Sequence, residues 1–327
     1  MRGIELTPEI PVQRVVDLGS LAEEAGFDTV FVSSHYNNRD PFQALARLAA
    51  ETETVRLGPG VANPYETHPV TLTSQVATLA ESSDDRAVFG VGAGDRSTLR
   101  NLGIDRERPL RRVLETMRVA RRLFAGERVT HDGTFTVRDA GLNYDVGDVP
   151  VYVGAQGPHM LRMAGKYADG VLVNASHPAD VSWSRDRIEE GIEEREGSLG
   201  APDIAVYASV SVAAEESAAR AAARPPVAFI AGGADEHVLD RHGVDAETAA
   251  RIGDHVEAGR FEDAFDAVTG RMLDAFSVAG TVETVAARFE SLLAHADSVV
   301  VGAPLGPDRS RAVELAAEAI DQVDENR

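Results

Sequence analysis

Arg2–Asn38 reads RGIELTPEIPVQRVVDLGSLAEEAGFDTVFVSSHYNN. Gly3–Leu6 predicts a strand. Pro11–Ala25 follows with Val12, Val15, Val16, Leu18, Leu21, Ala22 and Ala25 at helical spacing, so it predicts an amphipathic helix. Gly26 is placed to end that helix, because glycine tolerates the left-handed conformation of a C-terminal cap. Thr29–Val32 predicts a second strand, and Ser33–Asn38 a polar loop beyond it. One strand-plus-helix unit has closed and another has begun.

The unit recurs along the chain. Further strands are expected at Val55–Leu57, Ala87–Val91, Val151–Val153, Gly170–Val173, Asp203–Val212 and Ser298–Gly302. Helices are expected at Pro41–Glu53, Pro69–Ser83, Pro109–Phe124, Pro158–Tyr167, Pro178–Glu196, Thr281–Ala294 and Asp308–Val323. Val129–Asp148 reads as irregular or as a hairpin turning at Asp132-Gly133, and Ala213–Ala279 as mostly helical with no strand. Eight such units are what a closed parallel barrel requires. The expectation is therefore an α/β fold, a (β/α)8 TIM barrel forming a single domain over 1–327, with a mainly helical insertion at 213–279 before the last strand. A doubly wound open sheet is the competitor, weakened because no Gly-x-Gly-x-x-Gly opens the first helix.

Composition bounds the function. The net charge is -21, which makes nucleic acid and anionic membranes poor partners. Lys166 is the only lysine, so arginine carries nearly all positive charge. Acidity with scarce lysine fits a protein adapted to high internal salt, against the plainer reading of an acidic mesophilic enzyme. Cysteine is absent, which excludes disulfides, thiolate catalysis and Cys-ligated metals. No signal-peptide pattern and no bilayer-length apolar stretch occurs, so a soluble cytoplasmic protein is expected.

Barrels build their sites at the C-terminal ends of the strands. Glu5 lies there, as do Ser33 to Asn38, Gly58 to Pro64, Gly92-Ala93-Gly94-Asp95, Gly154-Ala155-Gln156-Gly157-Pro158 and Asn174-Ala175-Ser176. Glu5 stands among apolar neighbours and suits a general acid, or else a structural carboxylate bonded to a neighbouring strand end. Asp95 follows two glycines that let backbone approach a flat ligand, and it equally suits the N-cap of a short helix. His35 could position a ligand or simply pack in its loop. Gly154 to Pro158 opens a helix whose free N–H groups and dipole suit a phosphate. No metal-ligand spacing is present.

In these segments the chain resembles the methylenetetrahydromethanopterin reductases, luciferase-like deazaflavin enzymes, in a haloarchaeal version. The resemblance rests on Gly3-Ile4-Glu5, His35 to Asn38, Leu57 to Val61 with Asn63-Pro64-Tyr65, Gly94-Asp95, Gly154 to Pro158, Asn174-Ala175-Ser176, Phe276-Ser277-Val278 and Gly306-Pro307-Asp308. It departs at Ser34 and Ala93, where methanogen relatives often carry Asp and Pro. It implies coenzyme F420, an 8-hydroxy-5-deazaflavin, as hydride donor, and a pterin as small-molecule substrate. It also implies a non-prolyl cis peptide at Gly60–Val61, forming a bulge behind the deazaflavin.

The implied reaction takes 5,10-methylene-tetrahydropterin to the 5-methyl form. Protonation opens the bridging ring to a methylene-iminium, which accepts the hydride. Glu5 would give the proton, with Asp95 as its partner or as a substrate-orienting carboxylate. Ser33, His35, Ala62, Asn63 and Ala93 would line the deazaflavin, with Asn174 and Ala175 beside them, and Gly154, Ala155, Gln156, Gly157 and Pro158 would hold its phosphate. The salt-adapted composition points to a folate rather than a methanopterin. A homodimer or homotetramer is expected. The alternatives are an FMN-dependent monooxygenase, an F420-dependent dehydrogenase, or a deazaflavin-binding barrel without catalysis.

Overall fold

The computed structural model describes residues 1–326. Two compact units emerge, one of Met1–Asn174 with Trp183–Ala205, the other of Ala175–Ser182 with the chain from Val206 onward.

The first unit carries strands β1 (Arg2–Leu6), β2 (Thr29–Val32), β3 (Arg56–Pro59), β4 (Phe89–Gly92), β5 (Val129–Asp132), β6 (Thr136–Ala140), β7 (Val151–Ala155) and β8 (Gly170–Asn174). β1 pairs in parallel with β2, β2 with β3, β4 with β7 and β7 with β8. Bridges Leu57↔Ala87 and Ala62↔Val91 join the β3 segment to the β4 segment. Every residue of β2 and of β4 is buried, as in parallel strands covered on both faces. Helices Val12–Glu24, Pro41–Glu51, Pro69–Ser82, Pro109–Phe124 and Pro158–Tyr167 alternate with these strands.

Local chemistry sets the boundaries. Gly26 adopts φ +89° after the first helix, as its position predicted. Asp40 caps the next helix by accepting from Gln43 N at 3.0 Å, with Pro41 in the first turn. β3, β7 and β8 run one or two residues beyond the expected ends, because the apolar run stops before the backbone pairing does.

β5 and β6 form an antiparallel hairpin, one of the two forms expected for this stretch. Glu115, on the helix behind, fastens it. Its carboxylate accepts from Thr134 N and from the Thr134 hydroxyl, both at 2.7 Å, and from Arg111 Nε at 2.7 Å. His131 Nε2 lies 3.2 Å away. Burial pushes the Glu115 carboxyl up, but these donors outweigh it and hold it down at about 2.

In the second unit, β9 (Asp203–Val212), which begins in the first, continues beside β11 (Ser298–Leu305). The stretch expected to hold no strand holds one. β10 (Val278–Gly280) pairs in parallel with Val210–Val212 of β9. Three residues, two of them small, are too few to show a strand period in sequence. Helices Glu216–Gly232, Glu236–His242, Ala246–Glu257, Phe261–Ala267 and Gly270–Phe276 gather a core of their own around Val227, Leu239, Ile252, Met272 and Phe276. Among the described residues no helix is long and apolar enough to cross a membrane.

Glu115→Gln removes the charge that the hairpin donors stabilise, and should cost about 2–3 kcal/mol at pH 7. A depressed carboxyl contributes stability above its ordinary value of 4.5 and loses it as the pH falls toward about 2. Urea midpoints of the two proteins should therefore converge below pH 4.5. A gap as wide at pH 2.5 as at pH 7 would refute the account.

Candidate functional site

The loop after β3 is set by close approach of backbones. A Cβ at Gly58 would lie 2.1 Å from Val88 O, and one at Gly90 would lie 2.0 Å from Pro59 O. Glycine at both positions lets the β3 and β4 segments meet. The Gly60–Val61 peptide is cis, at the position the resemblance implied. Val61 then packs its side chain over β4 and β7. A Cβ at Gly92 would lie 2.6 Å from Val61 Cγ2, and one at Gly154 3.2 Å from the same atom. Ala62 is locked in place by Ala62 N donating to Gly90 O at 3.0 Å and Gly92 N donating to Ala62 O at 2.9 Å.

Asn63 holds the turn that follows. Its Oδ1 accepts from Tyr65 N at 3.1 Å and Glu66 N at 3.0 Å, and its Nδ2 donates to Glu66 Oε1 at 2.7 Å. Its amide is thus engaged by its own loop. Arg112 clamps the same loop by donating from Nη2 to Pro64 O at 2.7 Å, with its guanidinium 4.7 Å from the Tyr65 ring centroid.

Glu5 is 3% exposed in β1, and its Oε1 accepts from the Thr7 hydroxyl at 2.9 Å. Register pairs Glu5 with Phe31. A Cβ at Gly60 would lie 2.7 Å from Phe31 Cβ. The acid and the loop after β3 therefore flank the same phenylalanine.

Asp95 realises its capping reading. Its Oδ1 accepts from Thr98 N at 2.8 Å and from the Ser97 hydroxyl, opening helix Arg96–Asn101. Burial pushes its carboxyl up, but the Ser97 and Thr98 donors prevail and hold it below the ordinary carboxylate range. Asp95 is anionic at neutral pH. Thr98 Oγ1 lies 3.5 Å from Nδ1 of His35, which is exposed. A pocket of about 180 Å³ is lined by Ser34, His35, Ala62, Asn63, Leu72 and Gln75. Among the described residues, two buried polar atoms in this region have no hydrogen-bond partner: Ser33 Oγ at the end of β2, and Gln75 Oε1. Ala93 is 8% exposed, just before Gly94 at φ +72°.

Gly154 and Ala155 close β7, and Gln156 and Gly157 are exposed. No side chain caps helix Pro158–Tyr167, and a Cβ at Gly157 would meet nothing within 4 Å. Asn174 ends β8 exposed, whereas Ala175 is buried and donates its N–H to Tyr207 O at 3.2 Å.

Sequence reading passed over Thr7, Thr98, Gln75 and Arg106. Thr7 is signalled only by following Glu5 at the next same-face position of a strand. Gln75 interrupts the apolar stripe of its helix. Arg106 is drawn below its ordinary range by burial and by Arg96, with Tyr65 and Asp95 opposing, and its Nε has no hydrogen-bond partner among the described residues.

The sequence pattern of the family described as luciferase-like monooxygenase matches residues 2–296. The 5,10-methylenetetrahydromethanopterin reductase of Archaeoglobus fulgidus is 40% identical over 324 residues, covering 97% of this chain and 98% of its own. The enzyme of the same name from Methanolobus tindarius is 39% identical, covering 97% and 98%. The solved coenzyme F420-dependent tetrahydromethanopterin reductase from Methanopyrus kandleri matches with a TM-score of 0.93 at 36% identity, over 98% of this chain and 99% of its own. The fold class is accordingly the (β/α)8 barrel expected from the repeat of strands and helices.

Gly92→Ala places a methyl against Val61 and should cost about 1–3 kcal/mol in urea unfolding. Adding Val61→Ala should recover at least about 1 kcal/mol of that loss. Strictly additive losses would show that the two positions do not share this contact.

Proposed function

The chain belongs to the luciferase-like monooxygenase family, and we propose that within it the protein is a coenzyme F420-dependent reductase of 5,10-methylene-tetrahydromethanopterin, acting in one-carbon metabolism. One observation carries the reading: a chain similar end to end to such reductases carries a buried carboxyl, Glu5, near the C-terminal end of its first strand.

The residues present fit the cofactor. Ser33 offers a buried hydroxyl without a partner, suited to a ring oxygen or nitrogen. Val61 and Ala62 offer an apolar shelf, and Gly157 leaves room above an uncapped helix N-terminus for a phosphate. Ser33, His35, Ala62, Asn63 and Ala93 are assigned to the ring, with Asn174 and Ala175 at the neighbouring strand end. Gly154, Ala155, Gln156, Gly157 and Pro158 are assigned to the phosphate. Reduced F420 supplies a hydride when bound.

The protein's own share is a proton and its placement. Glu5 gives the proton to the bridging nitrogen of the pterin, which opens the ring and leaves an electrophilic methylene carbon. The Thr7 hydroxyl fixes the orientation of that carboxyl. Asp95 stays anionic and steadies the cationic substrate as it forms, while its Oδ1 caps helix Arg96–Asn101.

The methanopterin form is the substrate proposed because both relatives are named for it. The folate form is the competitor to be measured. On the same reading the protein is one barrel domain with 213–279 as its insertion, a homodimer or homotetramer, cytoplasmic, and adapted to molar salt.

Reduced F420 absorbance should fall in molar KCl on addition of methylene-tetrahydromethanopterin. Glu5→Gln should lower kcat roughly 10²–10⁴-fold while F420 affinity stays within threefold. Faster turnover of methylene-tetrahydrofolate would reassign the substrate. Turnover of neither pterin, or a bound flavin that consumes oxygen, would overturn the proposal.

A further inference from the structure

The pocket of about 180 Å³ lies wholly within the first unit, and Gln75 forms part of its wall. Gln75 sits on helix Pro69–Ser82, three residues after Leu72 and four before Leu79, both of them buried. That spacing puts all three on one face of the helix. Hydroxyls of the same helix satisfy themselves one turn back. Thr73 donates to Pro69 O at 2.8 Å, Thr78 to Ser74 O at 2.8 Å and Ser82 to Thr78 O at 2.7 Å. Gln75 Oε1 has no such partner: it is buried and accepts nothing among the described residues.

Buried polar atoms are nearly always paired. Ser33 Oγ and Arg106 Nε share the condition of Gln75 Oε1. Ser33 follows β2, Gln75 lies on the helix after β3, and Arg106 follows β4. The missing partners thus belong to the segments that leave three successive strands of one barrel. For the fold alone Gln75 is a poor choice. An apolar side chain of equal size would pack on the same face and leave no acceptor bare.

The pocket also presents His35, Ala62 and Asn63, which are assigned above to the deazaflavin ring. Of the two carboxamides on this wall, Asn63 is taken up by its own turn through both amide atoms. Gln75 is the one left to face a ligand.

We propose that Gln75 is a further cofactor-binding residue, one that reads the pyrimidinedione edge of the deazaflavin. Its Oε1 accepts from the ring N3–H, and its amide N–H donates to a neighbouring ring carbonyl. The inference rests on the F420 reading given above. The dione edge offers one N–H between two carbonyls, and a carboxamide, with an acceptor beside a donor, is its complement. Two bonds to one edge fix the ring in its own plane, which a single hydroxyl cannot do.

The test measures binding and stability rather than turnover. The unliganded protein is titrated by calorimetry with oxidised F420 and with its 3-methyl derivative, which lacks the N–H. Wild type should bind F420 at least tenfold more tightly than the 3-methyl form. Gln75→Met keeps the length of the side chain and removes both polar atoms. It should weaken F420 about tenfold and bring the two ligands within threefold of each other. Gln75→Glu keeps an acceptor for N3–H and should retain at least a threefold preference for F420. The urea midpoint of unliganded Gln75→Met should equal or exceed that of wild type, because a bare acceptor has gone. A lower midpoint with unchanged F420 affinity would make Gln75 structural and overturn the assignment. So would a preference for F420 over the 3-methyl form as large in Gln75→Met as in wild type. Wild type that binds no F420 at all would overturn the F420 reading itself, and this inference with it.

Discussion

The seat of Val61 is the constraint on which the first unit's site depends. β3 and β4 come so close that a Cβ at Gly58 or Gly90 would strike backbone oxygen, so neither position can carry a side chain. That approach leaves a hollow over Gly92 and Gly154, and the Val61 side chain fills it. A packed interior tolerates neither a void nor an added methyl there. Everything beyond follows from the seat. Ala62 is bonded to β4 on both sides, Asn63 winds its turn, and Arg112 holds the end of that turn by carbonyl and ring. The loop is the consequence of four glycines placed on three different strands or their ends.

Charge is spent with similar economy. Most of the chain's many carboxylates face solvent, where neighbouring ion pairs contribute little. A few are used as structural acceptors. Glu23 gathers N–H donors from Glu53, Thr54 and Val55 plus the Thr54 hydroxyl, fixing the approach to β3. Glu115 does the same for the hairpin. In each, hydrogen bonds to the charged form outweigh the cost of burial, so the carboxyl is held below its ordinary range.

Much of this was legible in the sequence, and the boundary of legibility is physical. Strand–helix alternation depends on local periodicity, so Thr29–Val32, Pro109–Phe124, Pro158–Tyr167 and Asp203–Val212 match their expected limits. Gly92 and Gly94 were legible as places of close approach, though what Gly92 meets is the side chain of Val61. β10 escaped because three residues carry no period. Thr7 and Thr98 escaped because an isolated threonine has no pattern.

The roles of the two carboxyls at the strand ends separate on the same grounds. Asp95 sits at a helix N-terminus and accepts from a backbone N–H and a hydroxyl, both of which favour its ionised form. A group so stabilised is a poor source of protons near neutral pH and a good counter-charge for a developing cation. Glu5 instead accepts from the Thr7 hydroxyl. It lies buried in a strand, on the same phenylalanine that backs the loop after β3. On the function proposed, one proton and one fixed negative charge would come from different residues, because Asp95 is already committed to its cap.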